Sequence, residues 1–147
     1  MLLKRRLAHI KEKDLCFDIS RRAYQELIKA QFGEWDDSWQ RERFEEKWSS
    51  GGFEIVELNE IPIGVVLAKW LEDCRYLAEI QILPEYQGKG FGSHLILEEQ
   101  ELAKARGVEL RLQVLKMNRA INLYKRLGFT ITGETDTHIQ MHWEPNR

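Results

Sequence analysis

Residues 84–96 read PEYQGKGFGSHLI, and this stretch decides how the rest of the chain is interpreted. Gly88, Gly90 and Gly92 stand at alternate positions between an apolar run, AEIQIL, and a segment typical of a long helix, SHLILEEQELAKAR. Glycine costs backbone entropy and has no side chain to pack, so this spacing indicates that a ligand needs bare backbone here. A strand, a glycine-rich turn and a helix in that order place several backbone N–H groups at the positive end of a helix dipole. Such a turn binds anions and predicts a phosphate-containing ligand.

The spacing of the glycines separates this turn from two other phosphate-binding loops. A dinucleotide-binding turn requires G-x-G-x-x-G, and Ser93 stands where the third glycine is needed. A Walker loop requires a longer glycine spacing that ends in Gly-Lys-Ser or Gly-Lys-Thr, which the sequence GKG does not provide. The pattern that remains is Q-x-x-G-x-G, formed by Gln87, Gly90 and Gly92.

The composition predicts one soluble domain that binds neither nucleic acid nor membrane. The 147 residues suffice for a single core, and 43% hydrophobic with 31% charged residues is ordinary for a globular protein. A formal net charge of −2 does not favour nucleic acid, and no apolar run has membrane-spanning length. The start, MLLKRRLAHIKEKD, is unlike a signal peptide, so we expect a cytoplasmic protein. Cys16 and Cys74 are then expected to be free thiols that pack as small hydrophobes.

Hydrophobic periodicity and turn residues predict the element order β-α-α-β-β-β-α-β-α-β-β. A first strand lies within residues 1–7, and further strands are expected at 53–58, 61–70, 75–83, 108–115, 129–134 and 137–143. Helices are expected at 13–33, 36–48, 93–106 and 118–128, with Gly33, Gly107 and Gly128 as stops and Asn118 as the cap of the last helix. Asn59 and Glu60 form a tight hairpin turn. The strand-helix-strand crossover at 76–114 implies one parallel pair in an otherwise antiparallel sheet.

The glycine turn resembles motif A of the GNAT superfamily of N-acetyltransferases, whose form is Arg/Gln-x-x-Gly-x-Gly/Ala. LPEYQGKGFG is similar to the family's common hPEYRGKGIG, and NRAINLYKRLGF is similar to its downstream Asn, Ala, Tyr and Gly-Phe segment. The two motifs occur in the family's order and spacing, and the element order matches over about residues 15–143. The resemblance implies an α/β fold: a mixed, mostly antiparallel sheet with one parallel splayed pair, flanked by about four helices. Residues 1–147 are then a single GNAT-like domain.

The resemblance further implies an acetyl-coenzyme A-dependent N-acetyltransferase that moves an acetyl group directly to a primary amine, without a metal. The pyrophosphate is expected on the backbone of residues 87–92, and the pantetheine along residues 80–83 and the strand that ends at Val114. The cofactor-binding residues expected on this basis are Ile82, Leu83, Gln87, Gly88, Lys89, Gly90, Phe91, Gly92 and Asn118. The Lys89 side chain can add a charge or point to solvent. A non-catalytic coenzyme A sensor or an interaction module of the same fold remains the alternative.

Three groups are expected to carry the chemistry. Tyr124 matches the family's tyrosine and can donate to the leaving thiolate, although packing of its helix onto the sheet would also explain it. The Ile82 N–H is the oxyanion donor that the resemblance implies. Glu79 is an acidic residue in an apolar strand, where burial would suit a base. A water chain, a solvent-facing role or a structural ion pair for Glu79 remain open.

The segment at 33–39, GEWDDSW, carries three carboxylates and two indoles. In proteins resembling this one, that junction lines the acceptor side, so Trp35 and Asp36 are expected to bind a cationic primary amine. A charged N-cap with packed aromatic rings is the alternative.

The remaining tryptophans and the histidines predict less. A homodimer surface formed by the exposed-looking Trp35, Trp39 and Trp48 stays open as an alternative to core packing. His138 and His142 share one face of a strand but lack an evident third ligand, so no metal site is predicted. His94, within the first turn of the helix after the glycine turn, is expected at the surface.

Overall fold

The computed structural model of the protein describes residues 3–146, which form seven strands and four α-helices in the predicted order. Met1 and Leu2, which belong to the predicted first strand, lie outside the described residues. The strands are β1 (Leu3–Leu7), β2 (Glu54–Leu58), β3 (Ile61–Trp70), β4 (Cys74–Ile82), β5 (Glu109–Leu115), β6 (Thr130–Glu134) and β7 (His138–Trp143). The helices are α1 (Lys13–Phe32), α2 (Asp37–Ser49), α3 (Phe91–Arg106) and α4 (Ala120–Arg126). Short 3-10 helices at Ile10–Glu12 and Pro84–Tyr86 were not predicted.

The ends of the helices follow the residues that the sequence places there. Gly33 ends α1 with φ of 91°, a left-handed conformation in which its N–H donates to the Lys29 carbonyl. The Asp36 carboxylate caps α2 by accepting from the Trp39 N–H at 3.1 Å. The prediction that Asn118 is the N-cap of α4 is wrong by one position, because Arg119 holds it. Asn118 instead closes a turn before the helix, where its Oδ1 accepts from the Ala120 N–H at 2.9 Å.

The sheet has the strand order β1-β2-β3-β4-β5-β7-β6, which confirms the mixed architecture. Strands β1, β2 and β3 pair antiparallel, and the β2–β3 turn holds Asn59 and Glu60 at φ of 50° and 72°. The predicted parallel pair is β4 with β5, with Cys74 opposite Glu109. Its register ends where Leu77 faces Leu112, although β4 continues to Ile82 and β5 to Leu115. Strand β7 pairs antiparallel with both β5 and β6.

By contacts, the chain divides into two units, of which the first comprises residues 3–67 and 79–89. Its core is an aromatic cluster in which Phe44 lies 5.3 Å from Phe17 and 5.2 Å from Phe53, and Trp48 stacks on both Phe44 and Phe53. Phe17, Phe44 and Phe53 are at most 6% exposed. Helix α1 turns Cys16, Phe17, Ile19 and Ile28 inward. Leu15 and Phe32 of the same helix are 37% and 49% exposed.

The second unit comprises residues 68–78 and 90–146, and α3 packs on its strands. Leu95, Ile96 and Ala103 of α3 are fully buried, as are Leu110 and Met141 of β5 and β7. A buried ion pair joins β4 to α3, with Arg75 Nε 2.7 Å from Glu99 Oε1. The Arg75 guanidinium also lies 4.6 Å from the ring centre of Trp70.

Two further expectations concern the cysteines and membranes. Cys16 and Cys74 are free and buried, as predicted, and burial raises the pKa of the Cys16 thiol to about 12. No helix within residues 3–146 combines the length and the apolar character that crossing a membrane requires.

Candidate functional site

The glycine turn presents an open backbone. The 3-10 helix Pro84–Tyr86 precedes it, and Gly88 and Gly90 follow with φ of 75° and 88°. Both values lie in the left-handed region, which glycine adopts without a Cβ penalty. A Cβ built at either glycine meets no atom within 4 Å. The glycines are therefore required for the conformation of the turn, and the space beside them is not filled by another side chain.

The turn ends at the N-terminus of α3, which no side chain caps. Gly90 occupies the N-cap position without a side-chain hydrogen bond, and the first turn of α3 contains no acidic residue. The 16-residue helix therefore directs the positive end of its dipole and the N–H groups of its first turn at this point. Such a terminus favours an anion that accepts hydrogen bonds from the backbone.

Gln87 braces the turn against the strand before it. Its Nε2 donates to the Ile82 carbonyl at 2.8 Å, and the Leu83 N–H donates to the Ile63 carbonyl at the same distance. Ile82 and Leu83 are 8% and 5% exposed, so this backbone is held in the core. The Gln87 amide thus holds the turn to the end of β4. Lys89 is exposed.

Glu79 lies in a polar cluster that sequence reasoning found only in part. Its side chain is 10% exposed and accepts from Lys47 Nζ, on α2, and from Gln81 Nε2 at 2.7 Å. Residues 79 and 81 share one face of β4 because strand side chains alternate. The structural ion pair left open for Glu79 is therefore present. Lys47 was missed because it is 32 residues away in sequence.

Tyr124 is buried in α4. It is 5% exposed, and its ring lies 5.5 Å from that of Phe129 in an edge-to-face contact. The packing role left open for this residue is therefore present, and it orients the ring. Phe91, at the start of α3, is 4% exposed.

The junction of α1 and α2 is built around the cap of α2. The Asp36 carboxylate accepts a hydrogen bond from the Trp39 N–H, and Trp35 Nε1 donates to Asp37 Oδ1 at 3.0 Å. Trp39 remains 51% exposed, with the Arg43 guanidinium 5.2 Å from its ring centre. The charged N-cap that was the alternative interpretation of this segment is thus present.

His142 lies beside carboxylates that the sequence did not indicate. Its Nδ1 is 3.2 Å from Glu109 Oε2, and Glu144 contributes an oxygen within 4.8 Å of both. Arg111 also donates to Glu109 and lies 2.9 Å from Asp73. Burial opposes the charge on Glu109, but the hydrogen bonds from Arg111 and His142 outweigh it and lower its pKa. The guanidinium already neutralises this carboxylate, so the cluster is explained as an ion-pair network beside a cavity of about 270 Å³.

With this geometry in place, comparison with known proteins identifies the class. Residues 20–129 match the model of the acetyltransferase (GNAT) family, which is more than half of the chain. The chain belongs to this family, which confirms the resemblance drawn from the glycine turn and the segment around Tyr124.

Two curated relatives and one solved structure show how far the similarity extends. An uncharacterized N-acetyltransferase of Methanocaldococcus jannaschii is 36% identical over 111 residues, covering 69% of this chain and 46% of the relative. The thialysine N-epsilon-acetyltransferase of Mus musculus is 33% identical over 81 residues, covering 54% of this chain and 48% of the relative. The chain therefore spans less than half the length of these two relatives.

The structural comparison confirms the fold class. The crystal structure of the PaiA N-acetyltransferase from Thermoplasma acidophilum in complex with coenzyme A has a TM-score of 0.79 and 20% sequence identity. The similarity covers 99% of this chain and 100% of that one. At this identity, the comparison supports the fold alone.

Proposed function

We propose that the protein is an acetyl-coenzyme A-dependent N-acetyltransferase that acts on a primary amine by direct transfer. The observation that carries the proposal is the uncapped N-terminus of α3, reached through the left-handed Gly88 and Gly90. A pyrophosphate needs several backbone donors and close approach, and this turn supplies donors without a side chain in the way. Membership of the GNAT family supports the same ligand.

The cofactor-binding residues fall into two groups. The backbone of residues 87–92 holds the pyrophosphate, with Gln87 bracing the turn through the Ile82 carbonyl. Because Gln87 carries no charge, affinity for phosphate comes mainly from N–H groups and the helix dipole. Ile82 and Leu83 present backbone to the pantetheine arm, and Asn118 shapes the turn before α4.

The chain's own groups supply the proton transfers. The bound coenzyme supplies an activated thioester. Glu79 accepts a proton from the acceptor ammonium, which frees the nitrogen lone pair for attack on the thioester carbon. The Ile82 N–H donates to the oxygen on which negative charge develops. Tyr124 donates its phenolic proton to the sulfur as the carbon–sulfur bond breaks. The second proton lost by the attacking nitrogen passes through solvent and restores the phenol, so the products are an amide and a free thiol.

The acceptor class follows from charge at the α1–α2 junction. Trp35 offers an indole face and Asp36 a carboxylate, and both favour a cation. The cation–π interaction with the indole contributes about 0.5–2 kcal/mol. One relative is named for transfer to the ε-nitrogen of thialysine, a primary amine. We therefore propose a small or peptidic primary amine, bound as its ammonium form.

The remaining assignments extend the same proposal. Residues 1–147 act as one catalytic domain, in the cytoplasm and without a metal, and Trp39 offers an exposed ring to a second copy. Fractionation of cells and sedimentation of the purified chain test the location and the oligomeric state.

The test is thiol release from acetyl-coenzyme A across a panel of primary amines, polyamines, peptides with free N-termini and acidic acceptors. Tyr124→Phe should lower kcat by roughly 10- to 1000-fold with little change in coenzyme affinity, as expected for a general acid. Glu79→Gln should remove the acidic limb of the pH–rate profile. An unchanged kcat in Tyr124→Phe, with chemistry rate-limiting, assigns the acid elsewhere.

The alternative function is distinguished by the same assay. A coenzyme A sensor binds the coenzyme but releases no thiol with any amine of the panel. That result, together with intact coenzyme binding, would overturn the enzymatic proposal and leave the binding site standing.

A further inference from the structure

We infer that Glu79 and Gln81 form a binding subsite for a primary ammonium group, and that Lys47 occupies it in the free protein as an internal competitor. The inference deepens the proposed function. It rests on that function for one point, that the cation competing with Lys47 is the acceptor amine. Lys47 would then determine how tightly the protein binds the acceptor amine. Neither the resemblance to the family nor any sequence pattern pointed to Lys47.

The first observation is the occupant itself. A lysine ammonium is a primary ammonium on an alkyl chain, and Lys47 Nζ contacts Glu79 Oε1 directly. The receiving carboxylate is only 10% exposed, whereas the Lys47 side chain is 47% exposed. The carboxylate is thus held in place by the strand, and the lysine reaches it from outside. A cation that enters from solvent has the same route.

The second observation is an acceptor atom that lacks a donor. Gln81 is 5% exposed, and its Oε1 is buried without a hydrogen bond from any described residue. Reversing the amide is not a remedy, because its nitrogen already donates to the Glu79 carboxylate at 2.7 Å, and a carboxylate cannot donate in return. A buried carbonyl oxygen without a donor costs about 1–3 kcal/mol in mutational measurements.

A free ammonium satisfies both groups, which Lys47 does not. An ammonium carries three N–H donors, enough for a Glu79 oxygen and the Gln81 carbonyl oxygen together. Lys47 is attached to the last turn of α2, and its contact is with Glu79. The unpaired Oε1 of Gln81 is therefore the feature that favours an incoming amine over the resident lysine.

Strand β4, which carries Glu79 and Gln81, packs closely against β3. A Cβ added at Gly64 of β3 would lie 2.5 Å from the Gln81 carbonyl oxygen and 2.8 Å from Ile82 Cδ1, so the two strands approach as closely as glycine allows. A cation that replaces Lys47 at Glu79 displaces a side chain that is 47% exposed.

Competition reduces apparent affinity by the fraction of molecules in which the subsite is open. If Lys47 occupies it in about 80–90% of molecules, its removal raises affinity for a primary ammonium by about 5- to 10-fold. A lysine that lay beside the subsite without filling it would give a smaller gain, because its loss would remove only a like-charge repulsion that solvent and salt screen.

The experiment is an NMR titration of the full-length, 15N-labelled protein without coenzyme, following the Gln81 side-chain amide. The probe is n-butylammonium chloride, and tetramethylammonium chloride at equal ionic strength is the control cation because it has no N–H donor. The titration compares wild type, Lys47→Ala and the control variant Lys13→Ala. The control removes an exposed lysine whose Nζ lies 3.1 Å from Glu45 Oε2. Lys47→Met, which keeps the aliphatic stem, replaces Lys47→Ala if that variant does not fold.

Butylammonium should bind Lys47→Ala about 5- to 10-fold more tightly than wild type and Lys13→Ala, and Glu79→Gln should abolish the shift. Tetramethylammonium should give no saturable shift. Equal affinity in wild type and Lys47→Ala, or persistent binding in Glu79→Gln, overturns the inference. Because the titration contains no coenzyme, its result is independent of acetyl transfer, and a protein that binds butylammonium but releases no thiol refutes only the proposed enzyme.

Discussion

Replacing Gly90 by valine separates coenzyme binding from folding at a single backbone position. Gly90 has φ of 88° and occupies the N-cap position of α3, and a Cβ there meets no atom within 4 Å. The Cβ of the new side chain therefore lies in open space. The cost of the substitution to folding is the left-handed conformation, about 1–2 kcal/mol for an L-residue and somewhat more for a β-branched one. A domain of typical stability, about 5–15 kcal/mol, tolerates that loss.

The cost to coenzyme binding should be larger. In the proposed binding mode, the added side chain stands where the pyrophosphate approaches the first N–H groups of α3. Loss of one charge-assisted hydrogen bond removes about 1.5–3 kcal/mol, and weaker interaction with the helix terminus removes up to about 2 kcal/mol more. A total of about 3 kcal/mol corresponds to a roughly 100-fold increase in Kd.

Gly107 provides the matched control at the other end of the same helix. It has φ of 68°, and a Cβ there also meets no atom within 4 Å. Gly107→Val should therefore lower stability by a similar amount and leave coenzyme affinity unchanged. Calorimetric titration with acetyl-coenzyme A and chemical denaturation of both variants make the comparison. An unchanged Kd in Gly90→Val, or an equal loss of affinity in Gly107→Val, would refute the assignment of the glycine turn.

Two further predictions concern stability. Glu99→Gln leaves the buried Arg75 guanidinium without its counter-charge and should lower the free energy of unfolding by about 3–5 kcal/mol in urea denaturation, whereas a loss below about 1 kcal/mol would show that the pair is dispensable. Hydrogen bonds from Arg6 lower the pKa of Glu12 to about 2, below its ordinary value of 4.5, so the stabilisation is complete above pH 4.5 and is lost as the pH falls towards 2. Because both side chains are partly exposed, Glu12→Gln should cost only about 1 kcal/mol at pH 7 and nothing at about pH 1, below both pKa values. A full difference that persists at about pH 1 would contradict the linkage.

The sequence by itself determined the order of the elements, most of their ends and the family. These properties depend on residues close together along the chain. Glycine adopts left-handed backbone at Gly33 and Gly90 because it has no Cβ, and Asp36 caps α2 because its carboxylate reaches an N–H three residues on. The position of the uncapped helix terminus after the glycine turn follows from the same local chemistry.

Only the tertiary structure decided which distant side chains meet. Periodicity placed a helix at α1 but not its buried face, and it gave no sign that β7 lies between β5 and β6. Glu79 was recognisable as an unusual carboxylate in an apolar strand, yet its partner Lys47 lies 32 residues away, and the Arg75–Glu99 pair joins residues 24 apart. Side chains on different elements become neighbours only when those elements pack together. Local rules of sequence describe single elements and therefore cannot give these partners.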